Sequence, residues 1–221
     1  MSQIAQAAPT SVGSPLLYAG VAAGPLYVGI GTLEAVLRDG FDIRVHSLSL
    51  MANGPAGWVH SAMMIITGLL TVLGAVGLRR GSGSPRPSGV TIGGIAVYGL
   101  GVATAGFLRA DPQDNFPLGT PAGPPELITS HGIGHLVAGG IGFLGLIIAC
   151  LAYARRSQRF GRRGWAVFSL ITGAYYLVSF AGIASGAGNA MINIAFTLAV
   201  ALGWTWLTVL CLAALKEGRR V

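Results

Sequence analysis

The chain has 221 residues, 52 % of them hydrophobic and only 10 % charged, with a formal net charge of +7 and a mean hydropathy of +0.67. Soluble domains carry about 25 % charged residues, so this composition excludes an ordinary soluble fold. The basic residues sit in short clusters between apolar runs, without the aromatic interleaving or module of a nucleic-acid reader, and that class is excluded as well.

Six apolar runs reach the roughly 20 residues that cross a bilayer as a helix. Segment 1–14 has no positive n-region and the run after it is span-length, so no cleavable signal peptide is expected. The first span, 15–37, closes on Glu34, Arg38 and Asp39. The loop RDGFDIRVHSLSLMANGPAG is too charged to span, and the second span follows at 57–78. RRGSGSPRPS breaks the chain before a glycine-rich third span at 89–108. The loop RADPQDNFPLGTPAGPPELI holds five prolines, which forbid a long helix and point to a fixed connection. The fourth span, 129–154, carries a histidine pair near its start. RRSQRFGRR leads to the fifth span, 164–185, and a short turn to the sixth, 191–215, before a tail at 216–221. The expected fold is all-α: a polytopic membrane bundle of six transmembrane helices forming one domain over 15–215.

Eleven of the fourteen basic residues fall in the second loop, the fourth loop and the tail; Arg38, Arg44 and Arg109 fall on the opposite side. The positive-inside rule therefore places both termini in the cytoplasm of a cell-membrane protein. The outer side then holds six of the seven acids and all four histidines. Gly20-xxx-Gly24 and Gly182-xxx-Gly186 are expected to let helices approach closely within one bundle. Cys150 and Cys211 lie inside spans without CxxC spacing and read as packing residues. Trp58 and Trp204 suit interface anchoring, with Trp206 pointing elsewhere. Arg38 precedes His60 by the interval at which Arg109 precedes His131, each with an Asp-x-x-Asp between, which suggests a parallel repeat of two helix–loop–helix units.

His131 and His135 project from one helix face a turn apart, and His60 enters the second span at similar depth. Ionisable groups inside spans face the bundle interior or a wet cavity and mark candidate sites. Three histidines beside carboxylates suit zinc, making His60, His131 and His135 candidate metal ligands. Without metal, the same residues with Asp111 and Asp114 form an acid–base cluster, since imidazole near its unperturbed pKa both takes and gives a proton. The third alternative is histidines satisfied by loop carboxylates, with no chemistry. Two haem ligands cannot come from i, i+4 neighbours on one face; His60 with one of that pair could supply them, though no second facing pair exists for a two-haem path. Glu34 and Arg38 are spaced for a helix-end ion pair. Arg44 and Arg109 either pair with nearby aspartates or hold an anionic head group. Asn193 either bridges a loop or, with Glu34, contacts substrate.

The run RDGFDIRVHSLSLMANGPAGWVH, then FLRADPQDNFPLGTP, then SHGIGH opening a span, resembles a bacterial and archaeal family of six-span membrane proteins catalogued as a domain of unknown function, number nine hundred and ninety-eight. The resemblance covers essentially the whole chain and implies the fold and topology, with no activity. In arrangement only, His60, Asp111 and the histidine pair are also similar to the zinc site of seven-span membrane amide hydrolases such as alkaline ceramidases; this chain has one span fewer and its pair on the fourth.

The expected function is a membrane-embedded enzyme with a site open to the outer face. A lipophilic or lipid-like substrate would undergo cyclisation, isomerisation or hydrolysis there, with zinc as a candidate cofactor. The alternative is a non-catalytic small-molecule binding or transport protein.

Overall fold

A computed structural model describes residues 13–81, 86–186 and 189–218. Most of the N-terminal segment, the tip of the second loop, the turn into the sixth span and Arg219 and Arg220 of the basic count lie outside the described residues. The helices are α1 (Gly13–Leu37), α2 (Gly57–Arg80), α3 (Gly89–Phe107), α4 (Ser130–Arg159), α5 (Arg163–Ala184) and α6 (Ala190–Gly218), with a short 3-10 helix over Leu48–Ala52. All six α-helices are long and apolar enough to cross a membrane. The chain is a multi-pass membrane protein.

Ser88 and Thr129 cap α3 and α4 by accepting from Thr91 N and Gly132 N, as short hydroxyl side chains do at helix starts. Past Ala154, α4 continues through the arginines to Arg159, because no breaker intervenes before Gly161 turns the chain at φ +69°.

Each helix packs on its neighbours in sequence, and α6 closes on α1, so the six make a ring. Lipid supplies no hydrophobic drive between helices, and small residues are what let them touch. Gly68 faces the Gly99 carbonyl of α3, while Gly101 faces Gly142 of α4. Gly20 abuts Cys211 of α6 and Gly74 of α2, and Gly24 abuts Thr208 and Trp204 of α6. The Gly20-xxx-Gly24 pair is thus a seam inside the bundle, and Gly182 likewise packs on Ile192 of α6.

The core contains both free cysteines and two fully buried tryptophans. Trp206 donates to Ser169 Oγ at 2.8 Å. Trp204 stacks on Tyr27, ring centroids 4.8 Å apart, and is 0 % exposed. The expected interface role of Trp204 is corrected: it lies midway along the 29-residue α6, where a ring facing inward meets the other helices. Trp58, 70 % exposed at the start of α2, remains on the surface.

Candidate functional site

Loops 38–56 and 108–129 cover one end of the ring, here the histidine end, and each is tied down by buried polar contacts. Glu34 accepts from His60 Nδ1 at 2.7 Å and from Arg38 at 3.4 Å. Arg38 also donates to the backbone carbonyls of Met51, at 3.1 Å, and Asn53, and lies over the Phe116 ring. Asn53 in turn donates to Ala110 O at 3.0 Å. Here the helix-end ion pair expected of Glu34 and Arg38 gains a histidine and two loop carbonyls. His60 is 0 % exposed and spends Nδ1 on Glu34.

His46 packs against the rings of Phe41 and Phe116, which also touch each other. Its Nδ1 accepts from Asp42 N at 2.9 Å and its Nε2 donates to Asp114 O at 2.9 Å, which fixes the neutral tautomer. Asp114 therefore serves through its backbone, in a left-handed conformation (φ 52°) that aspartate tolerates.

Arg44 grips Asp42 by Nε and Nη2, the latter at 2.7 Å. These bonds hold the Asp42 carboxyl at about 2, below its ordinary 3.8. A depressed carboxyl stabilises the fold above its unfolded pKa, and that contribution disappears as pH falls through the folded value. The protection factors of amides in 41–46, each taken against the intrinsic exchange rate at that pH, should accordingly show a fall between pH 4 and 2. In Asp42→Asn this step should vanish. Asn193 Nδ2 donates to Arg44 O at 2.9 Å and Val45 O at 3.1 Å, pinning the loop to α6.

Asp111 accepts from Thr129 N at 2.9 Å and Thr129 Oγ1 at 2.6 Å, so it buttresses the cap of α4. A Cβ on Gly132 would overlap the Asp111 carboxylate. Asp111→Ala should cost about 1 kcal/mol, the value of a lost cap. Gly132→Ala should destabilise the wild type but stabilise Asp111→Ala, where the clash is gone and alanine's better helix propensity, about 1 kcal/mol over glycine, is realised. Thermal unfolding of the four proteins measures this sign change.

His135 differs from the other histidines. Its Nδ1 donates to Ala105 O at 2.9 Å and Leu108 O at 2.7 Å, carbonyls at the end of α3 that lack helical partners. A ring with Nδ1 committed as donor keeps Nε2 as an open acceptor in its neutral form. His135 is 7 % exposed and lines two spaces. One is a chamber of about 120 Å³ inside the ring, walled by Tyr27, Tyr98, Phe143, Phe180 and Phe196, with Ser47 and Ser49 at its rim. The other is a vestibule of about 240 Å³ toward the loops, bounded by Asp111, Gln113 and Pro125.

The expected cluster is thus divided. The structure brings His135 and Asp111 to one vestibule, but both Asp111 oxygens are taken by Thr129. His131 is exposed, and Arg109 is exposed as well. The zinc expectation for His60, His131 and His135 is corrected because the three rings do not converge on one point, and His131 is exposed. Among the described residues no three histidine, cysteine, aspartate or glutamate side chains come together as a metal site. Glu34 and Asn193, expected to touch substrate, are occupied in holding the loops, and Arg44 is paired with Asp42. The suspected repeat also diverges in use, since Arg38 and His60 are buried partners of Glu34 while Arg109 and His131 are exposed.

The chamber aromatics and the two serines were not legible as a site. Aromatic and small residues occur on lipid-facing and inward surfaces alike, so composition does not separate the two.

A family model described as "Protein of unknown function (DUF998)" matches residues 21–213. The chain belongs to this family. The match spans all six helices of the DUF998 chain, in agreement with the resemblance read from the sequence. No curated protein and no solved structure matches it.

Proposed function

We propose that this DUF998 protein is a membrane-embedded enzyme that isomerises or cyclises a lipophilic small molecule by proton transfer at His135. The observation that carries this reading is the divided commitment of that ring: Nδ1 is latched to the α3 carbonyls, Nε2 has no hydrogen bond among the described residues, and the ring lines an aromatic chamber. Apolar walls select a lipophilic ligand, and one placed acceptor orients it. Nε2 takes a proton from one position of the substrate and returns it to another, so the net change needs no co-reactant. The imidazolium formed in between points Nδ1–H at the negative end of the α3 dipole, which favours it. Tyr27 and Tyr98 supply hydroxyl-bearing rings to the same walls.

By the distribution of arginines, the histidine end faces outward and both termini lie in the cytoplasm of the cell membrane. The substrate then arrives from the outer leaflet.

The test incubates purified protein with a total lipid extract in deuterated water and follows bound compounds by mass spectrometry. A compound retained by wild type should gain deuterium at carbon. Gly139→Val, which projects into the chamber, should lose the compound. His135→Asn should retain it without exchange. Retention without exchange in wild type would replace the enzyme by a binding protein, and no difference between wild type and Gly139→Val would remove the chamber from function.

A further inference from the structure

Helices α1 and α6 meet unevenly along their length. In one half they are in contact through Gly20 and Gly24, whose missing side chains leave room for Cys211, Thr208 and Trp204. Toward the histidine end the same two helices part. Gly31 is buried by its surroundings, yet a Cβ built on it meets no atom within 4 Å. Pro25, which cannot donate to the helix ladder, stands at the changeover from contact to gap.

The gap is a slot of about 360 Å³ whose walls include Gly31, Ala35, Val36, Ile43 and Ala201. Its apolar walls end in side chains on the outer surface of the bundle: Val36 is 77 % exposed. On its inner side, Tyr27, Leu48, Thr197 and Val200 bound both the slot and the chamber, so the two spaces adjoin there. The vestibule adjoins the chamber's other side through Ser47, Ser49, His135 and Leu136. The three spaces therefore run in series from a polar mouth, past the open nitrogen of His135, to a slot facing the bilayer.

We infer that the substrate is a single-chain amphiphile whose head group sits at His135 and whose alkyl or isoprenoid chain leaves through the α1/α6 slot into the membrane. This rests on the chamber reading given above. The order of the spaces sets the polarity of the ligand: Ser47, Ser49, Asp111, Gln113 and His135 edge the vestibule, whereas the slot is walled mainly by apolar side chains, with hydroxyls at Tyr27, Thr32 and Thr197 and one carboxylate, Asp42, already held by Arg44. Trp204, fully buried against Tyr27 and Tyr98, fills the bundle axis, and the closed seam at Gly20 and Gly24 ends the slot along α1 and α6, so the chain is sent sideways. A slot between two helices that touch one seam below admits one chain rather than the paired chains of a bilayer phospholipid.

The probe is hexadecanol with a diazirine at its terminal carbon, added to the protein in nanodiscs of saturated phosphatidylcholine, with labelled residues read by mass spectrometry. Labelling should concentrate on the slot walls at Thr197 and Ala201, and fall to the level of diazirine-bearing phosphatidylcholine in Gly31→Phe. That side chain enters open space, so the variant should fold; Gly31→Leu, checked by thermal unfolding, guards against misfolding of the larger residue. Slot labelling unchanged in both variants would overturn the slot, even if Gly139→Val showed the chamber to be occupied. Should Gly139→Val leave the slot labelling at its wild-type level, the head group does not occupy the chamber, the chamber reading fails and this inference falls with it.

Discussion

His135→Asn should unfold within about 1 kcal/mol of the wild type and lose proton exchange, whereas His135→Ala should lose both stability and exchange. The asparagine amide nitrogen occupies the place of Nδ1 and can donate to Ala105 O and Leu108 O, so the latch on α3 persists. Nothing in asparagine reaches where Nε2 stood. Alanine removes the latch, exposing two carbonyls to an apolar interior without a donor, and opens space beside the chamber; a buried polar group left unpaired costs about 1–3 kcal/mol. His135→Gln completes the set. Its amide extends to the Nε2 position, so it should keep ligand orientation yet transfer no proton, since an amide does not titrate near neutrality. Thermal unfolding in detergent and deuterium uptake by the bound compound separate the two roles. If His135→Asn exchanges as the wild type does, the base is elsewhere.

The helices were legible because a membrane span is a one-dimensional signal: length and apolarity suffice, and 57–80 and 89–107 stand almost where the apolar runs put them. Which face of each helix turns inward was not legible. In water an amphipathic pattern would reveal it, but here both lipid and core are apolar, so Trp204 and Trp58 carry the same sequence signal and have opposite surroundings. The histidine pair shows the same limit. Spacing alone says that His131 and His135 share a face; it does not say that the first turn stands clear of the ring, leaving His131 exposed while His135 is covered by the end of α3. Asp111 and Glu34 were recognised as unusual residues, and they are. What local sequence could not show is that their oxygens are taken by Thr129 and by His60, partners 18 and 26 residues away. Only long-range geometry separates a carboxylate that holds a loop from one that meets a substrate.

Glu34→Ala should be the most destabilising single change in the histidine end, by about 3–5 kcal/mol, the cost of removing one partner from a buried ion pair. Two donors converge on that carboxylate, His60 Nδ1 at 2.7 Å and Arg38 Nη1 at 3.4 Å, and neither reaches water easily. Glu34→Gln keeps one oxygen for one donor but turns an amide hydrogen toward the other, so it should fall between alanine and wild type. The loss should travel outward, because the same guanidinium holds Met51 O and Asn53 O, and this loop carries Ser47 and Ser49 to the rim of the chamber. Amide exchange in 47–53 should therefore quicken in Glu34→Ala more than in α5, which does not touch the cluster. Arg38→Ala in the Glu34→Ala background still loses the donors to Met51 O and Asn53 O, but it should cost less than Arg38→Ala alone because the charge it removes is already without its carboxylate. The interaction energy of the double-mutant cycle then measures the pair directly. A Glu34→Ala protein as stable as wild type would mean that water reaches both donors, and that the loop is held at the chamber by its apolar contacts around Leu50, Met51 and Phe116 instead.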